Sequence, residues 1–536
     1  MAGNLFPLTY KSGIKRDGTT FQSDYCTEGQ WVRFQRGVVR KIGGMQGTGV
    51  AANVHSFTGF GTNISNIFLT SSATSTNVYT YIGANTVLQD LDYTSQIYKL
   101  ETTSSLKTAV HLRSITPSLG TKTAFMWQFQ TVIIEGIKNI VCFGADNGSN
   151  IGQNSSPVAY KGPIESQAGI QLESFNLPEG GNGGICYSNP YLFVYGTNGF
   201  VGVSAPNNPL EFNINNGAQA LTISNDKVIF GAAIRGGANS PSLLFWTQGS
   251  VVKMSNVGDV AVNFKIDVIS KSSSIFSSRC VVEYDGLFFW IGTDRFFVYN
   301  GIVQEMPNTM NLNYFFNNVD INHRQKVFGV KNTKYGEIWW FYPTKGQGNS
   351  VQNTRALIYN KRENSWYDTA INRDSGVFCE DLGFMCTFGK SLIDPDDYLY
   401  VWRHETGVDQ VWFPVGNGGE TERTASISSS FTTPTFSWAA FNPLKQQTGI
   451  NRWVELNRIE PDFLMDNNED EMEVVVNTKE YAQSVKVTSA PQAFKRTTGK
   501  LDMNIQGRHM NFTFSSNKNF EMGYTMMLLG IGDGNS

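Results

Sequence analysis

Charge is scarce in this chain of 536 residues: Asp, Glu, Lys and Arg together make up 16%, where about a quarter is usual. A net charge of −3 gives no whole-molecule field that would draw it to nucleic acid. Cysteine is rare too. Its six copies, Cys26, Cys142, Cys186, Cys280, Cys379 and Cys386, stand singly. No CxxC spacing offers a zinc or redox site, and the density is too low for a disulfide framework. Cys142, Cys186 and Cys280 sit in or beside apolar runs and read as small core residues. The opening MAGNLFPLTYKSG has no charged segment followed by an apolar one, so no signal peptide is expected. No apolar run approaches the roughly 20 residues of a membrane helix. The expectation is a protein made and folded in a reducing cytosol.

Catalytic signatures are missing as well. There is no GxSxG elbow, no P-loop and no GxGxxG opening a helix. Gly180-Gly181-Asn182-Gly183-Gly184 feeds a strand, so it lacks the helix dipole that holds phosphate. His55, His111, His323, His404 and His509 are far apart and fit no local metal-ligand spacing. Asp394-Pro395-Asp396-Asp397 and the DNNEDE run at 466–471 are the two acidic clusters. The second begins like a calcium loop but has Glu471 at the glycine position and Asn477 at the bidentate-Glu position. Both read as solvated turns. Glu337, at the head of an apolar strand, reads as a strand-end carboxylate. The repeated boxes of sialidase propellers are absent. These readings lead to the expectation of no enzyme, no cofactor and no metal site.

What is abundant is turn-rich β-structure: 53 glycines and 13% aromatic residues. The stretch 279–304, RCVVEYDGLFFWIGTDRFFVYNGIVQ, reads as three short strands. Asp285-Gly286 and Asn300-Gly301 are hairpin signals, because tight turns between strands require positive φ. The unit recurs, with Thr197, Thr247 and Thr293 in matching positions 50 and 46 residues apart. Looser hairpins are expected at 66–81, 131–143, 337–360 and 397–412. A period near 45–50 residues with several strands in each is the signature of propeller blades, about five to seven of them here. A plain β-sandwich with accidental spacing is the competing reading. Leu312, Phe315 and Phe316 lie at helical spacing, behind an Asn that could cap a short helix within 308–318.

The expected division is a basic N-terminal hairpin or arm over 1–45, a β-propeller over 46–412, a linker at 413–419, and a C-terminal β-sandwich-like module over 420–536. Seven basic residues lie between Lys11 and Lys41 against three acidic ones. The 31–44 run forms an amphipathic hairpin turning at Gly37, with Arg33, Arg36, Arg40 and Lys41 as candidate contacts. Such a basic face suits DNA phosphates or an acidic partner, and equally a solvated strand face.

Trp31, Arg33, Phe34, Gly37, Lys41, Ile42, Gly43 and Gly44 form the pattern W-x-R-F-x-x-G-x-x-x-K-I-G-G. A second block joins Asn322-His323-Arg324-Gln325-Lys326-Val327 to Tyr335-Gly336-Glu337-Ile338-Trp339-Trp340-Phe341-Tyr342-Pro343. A third joins Ile505-Gln506-Gly507-Arg508-His509-Met510 to Met522-Gly523 and Leu528-Leu529-Gly530-Ile531. In order and spacing these resemble the tail hub or nozzle proteins of short-tailed bacteriophages, the tail tubular and packaged-DNA stabilisation components. The resemblance implies a virion structural protein of the viral tail, assembled in the bacterial host cytoplasm. It implies a ring of six copies beneath a portal-adaptor (head-to-tail connector) protein, with a tail fibre, spike or needle as a further neighbour. Double-stranded DNA would pass the lumen without sequence specificity, retained after packaging and released at DNA ejection. It also implies that the two chain ends pack together beside the propeller. The alternative is a receptor- or carbohydrate-binding propeller, for which Trp366 and Trp438, in polar stretches, are the candidate sugar-stacking residues.

Overall fold

The computed structural model describes residues 4–19, 24–48, 63–71, 78–87, 93–103, 106–115, 126–145, 158–165, 172–206, 208–235, 241–258, 263–347, 352–380, 383–391, 399–412, 422–438 and 452–532. The expected linker at 413–419 and the acidic Asp394–Asp397 cluster lie outside them.

Six successive segments each fold into a four-stranded antiparallel meander, at 63–115, 126–176, 184–222, 228–270, 282–306 and 328–370. The seventh differs. Its first three strands are Ser375–Cys379, Phe384–Lys390 and Leu399–His404, and its fourth is Met45–Thr48 from near the start of the chain. First strands of successive blades lie near one another, with Arg235 and Glu283 linking blades four and five, and blade seven's first strand returns to blade one's. The chain is therefore a seven-bladed β-propeller, at the upper end of the expected range. Its ring is closed by pairing the N-terminal side of the chain with the last blade, so no edge of the ring is left open. The expected 397–412 hairpin is corrected: Met45–Thr48 inserts between its halves, antiparallel to Leu399–His404 and parallel to Gln410–Trp412. Arg423–Ala425 then extends the same sheet.

The blade period is visible in the turns. Thr197, Thr247 and Thr293 all fall at the turn after the second strand of blades three, four and five. Asp285-Gly286 turns with φ of 52° and 76°, the left-handed pair that two-residue hairpins require. Between blades, aromatic side chains do the packing. Trp246 meets Trp290 edge-on at 5.6 Å, and Phe296 lies 5.6 Å from Trp340. All six cysteines are buried and none forms a disulfide.

The second module is a two-sheet sandwich to which both chain ends contribute. One sheet runs, in space, Leu501–Gly507, Val454–Met465, Phe520–Ile531, Val38–Lys41 and Val32–Gln35, with Asn4–Leu8 also on Phe520–Ile531. The other runs Glu28–Gln30, Ser429–Thr432, His509–Ser516, Glu471–Lys479 and Val487–Thr488, with two short strands at its margins. Where a single hairpin or arm was expected, Asn4–Leu8, Glu28–Gln30, Val32–Gln35 and Val38–Lys41 are strands of the sandwich, while Lys11–Ile14 and Tyr25–Cys26 pair with each other outside it. One apolar core runs from the sandwich (Phe431, Phe514, Met522) through Trp31 to Trp339 and Phe341 of blade six. Trp31 and Trp339 meet edge-on at 6.4 Å. The modules share a core across their junction.

Candidate functional site

The junction between the modules is where the charged residues of the N-terminal segment converge. Arg33, from the strand Val32–Gln35, is buried among residues more than 300 positions away. Its Nε and Nη2 donate to the two oxygens of Glu337 at 2.8 and 3.0 Å. Nη1 donates to Glu405 at 2.9 Å, and Nη2 reaches that carboxylate too. The guanidinium stacks 3.5 Å from the Tyr335 ring. Glu337 further accepts from the Tyr367 hydroxyl at 2.6 Å and the Trp339 indole at 2.9 Å, and Asn332 donates to Glu405 at 3.1 Å. Burial alone would weaken the guanidinium's hold on its proton, but the two carboxylates outweigh it and hold its pKa well above the ordinary value. Burial, then Glu337, pushes the Tyr367 phenol well up. Burial, then Arg373 and Arg33, keeps nearby His404 neutral. Both oxygens of Glu337 are engaged, so the cluster is built to hold three chain segments together.

The other N-terminal charges behave alike. Arg16 donates to the fully buried Asp368 carboxylate at 2.9 Å, and Arg355 shares it. Asp17 accepts from the backbone N–H groups of Asn313 and Tyr314 at 2.8 Å each, capping the helix Leu312–Asn318 from a distant part of the chain. The expected Asn cap is corrected, since Asn311 precedes that helix without a side-chain cap bond. Lys41 is buried with its ammonium on the carbonyls of Ile427 and Asn517, and burial lowers its pKa to about 8. Arg40 pairs with Glu521 and Gln35 at a half-buried site. Of the four candidate contact residues, Arg36 alone keeps an exposed side chain, beside its backbone N–H bond to Glu363. The reading of a basic outer face is corrected for Arg33 and Lys41. The strand Val32–Gln35 is covered on both faces, by the sandwich core and by blade six, so its polar side chains point into an interface.

A second arrangement sits where the innermost strands of blades four to seven end. Arg235, Glu283, Lys331 and Glu380 alternate in sign. Arg235 lies 3.4 Å from Glu283 and 3.1 Å from Glu380, and Lys331 lies 3.3 Å from Glu283 and also pairs with Glu380. Blades four and seven are not neighbours, so the Arg235–Glu380 pair spans the axis at this mouth. The sequence carried a signal for it: Glu283 and Lys331 are 48 residues apart, one blade period.

Trp366, expected to be exposed, is buried against Trp340, Tyr359 and Phe296. Trp438 is half-buried and packs edge-on against Phe6. Among the described residues no group of three His, Cys, Asp or Glu side chains is placed to hold a metal ion. No helix among them is long and apolar enough to cross a membrane.

No family model and no curated protein matches this chain. Among solved structures it is similar to the WD40 β-propeller domain of Doa1, at 11% identity and a TM-score of 0.38, over 67% of this chain and 97% of that one. The seven-blade assignment rests on the sheet topology above.

Proposed function

We propose that this protein is a structural, non-catalytic component of a short-tailed phage tail. In this reading six copies form a hub or nozzle ring below the portal-adaptor, closing the tail over packaged DNA and passing it outward on infection. The observation that carries the reading is the sandwich built from both chain ends. It is the arrangement implied by the same residues that resemble the hub family: Trp31, Arg33, Gly43 and Gly44 of the first block meet the propeller, and Lys41 is held inside the sandwich.

Two further features support it. Ion pairs cross the propeller axis at one mouth, so a lumen for DNA belongs between copies and not through a single propeller. The basic residues near the N-terminus are largely consumed internally, which leaves few cations to grip passing phosphates in a salt-dependent way. The carbohydrate-binding alternative loses Trp366, because a buried indole offers no face to a sugar ring.

The test is electron microscopy of particles from a phage lacking this gene, with encapsidated DNA measured. Empty or leaking heads are expected. Full, sealed heads that fail to adsorb to cells would replace this reading with a receptor-binding one.

A further inference from the structure

The sandwich is polarised along its long strands. At one end, residues 462–473 hold six acidic residues and no basic one. Lys495 serves both Glu469 and Glu471, and Arg496 and Lys518 are further exposed cations at this end, outnumbered by the acids. Asp462, Asp466, Asp470 and Glu473 face no cation within ion-pair distance among the described residues. Amid this charge, Leu464 is 54% exposed, and Tyr524 on the neighbouring strand is 59% exposed.

The opposite end has the reverse character. The strand Val454–Met465 pairs Val454 with Gly507 and Ile531, and Lys479 pairs with His509. Trp453, Arg508, Ile531 and the 479–488 turn therefore gather about 35 Å from the acidic end, at about 3.3 Å per residue. Val485 is 87% exposed, Val487 65% and Tyr481 52%. Around them, Lys479, Lys486 and Arg508 have no carboxylate partner among the described residues and outnumber the exposed acid beside them, Glu480. Arg508 is held over the Tyr481 ring at 4.9 Å, and its Nε is buried without a hydrogen-bond partner.

We propose that these two ends are the two halves of one head-to-tail interface, the occupant of each being the opposite end of a second copy of this chain. Apolar side chains this exposed, each set amid an excess of one sign of charge, mark an interaction surface. Opposite signs at the two ends match a second copy, and like ends repel, which disfavours a two-fold contact through either end alone. A contact between two different surfaces of identical chains propagates in one direction and closes into a ring when the rotation permits. The proposal rests on the ring reading above and specifies which surface builds the ring.

The experiment is sedimentation velocity on the full chain at low salt, up to about 1 mM, the weak end of specific association. Wild type is expected to associate, and added salt to weaken it. V485D/K486E at the basic end and L464K/E469K at the acidic end should each weaken association by at least about tenfold. Mixed in equal amounts, the two variants should form heterodimers and stop there, since each retains one intact end. Unchanged thermal unfolding of both variants separates this from misfolding, with K486E alone as the milder substitute. A monomeric wild type, variants that assemble like wild type, or a mixture that yields no heterodimer would each overturn the proposal. Leaking heads together with any of those results would keep the hub reading and move the interface elsewhere.

Discussion

Arg33 illustrates how much one side chain can hold in this protein. Its guanidinium ties the N-terminal strand to blades six and seven through two carboxylates that have no other full-charge partner within ion-pair distance among the described residues. Arg33→Ala would leave both carboxylates buried and uncompensated, at a cost of about 3–5 kcal/mol. Arg33→Lys should recover little of that, because an ammonium cannot fork onto two carboxylates or stack on Tyr335. Urea unfolding followed by tryptophan fluorescence checks both, and a loss below 1 kcal/mol for Arg33→Ala would show the cluster to be dispensable. Lys41 makes a prediction in pH. Its folded pKa of about 8 lies below the ordinary 10.5, so the folded chain binds this proton less tightly than the unfolded one. Its contribution is then fully present above pH 10.5 and lost as the pH falls through about 8. Lys41→Met, which keeps the apolar stem, should flatten that slope between pH 8 and 10.5 in urea midpoints compared with wild type. A variant with the wild-type slope would assign the dependence to other groups.

Among the elements, the helix Leu312–Asn318 has seven residues, too few to persist alone in water. Its apolar side buries Phe315 against Phe296 and Tyr342, and Asp17 serves its free N–H groups. Asp17→Asn keeps an acceptor but loses the charge at the positive helix end, so a destabilisation of about 0.5–1 kcal/mol is expected in the same unfolding assay. The crossing at Gly44 is tighter. A Cβ there would lie 2.3 Å from the Asp409 carbonyl, so Gly44→Ala must push the N-terminal strand off blade seven. Faster proteolysis within residues 1–48 is the expected readout, and an unchanged cleavage rate would show that the strand tolerates the shift.

For the whole molecule, the N-terminal 48 residues complete two structures at once. They supply the closing strand of the propeller and strands in both sheets of the sandwich. Removing residues 1–48 exposes strand edges in both modules and the shared core beneath Trp31, so the remaining 49–536 chain is expected to be insoluble on expression. A soluble, cooperatively unfolding 49–536 chain would show that the propeller closes without its borrowed strand.

Local rules carried this chain a long way from sequence alone. Positive-φ turn pairs such as Asp285-Gly286 and apolar runs such as 287–291 determined strands and hairpins, because backbone sterics and strand periodicity act over a few residues. The recurrence of those hairpins determined a bladed all-β fold. Only the tertiary structure decided the partners of Arg33, Arg16, Asp17 and Lys41, which lie hundreds of residues from them. It decided that Met45–Thr48 closes blade seven, and that Trp366 in a polar stretch is buried. A strand's alternation reports two faces but not what covers each, and a charge written in sequence does not say whether it meets water or a distant carboxylate. Those answers come from non-local packing, which here joins the first residues of the chain to the last.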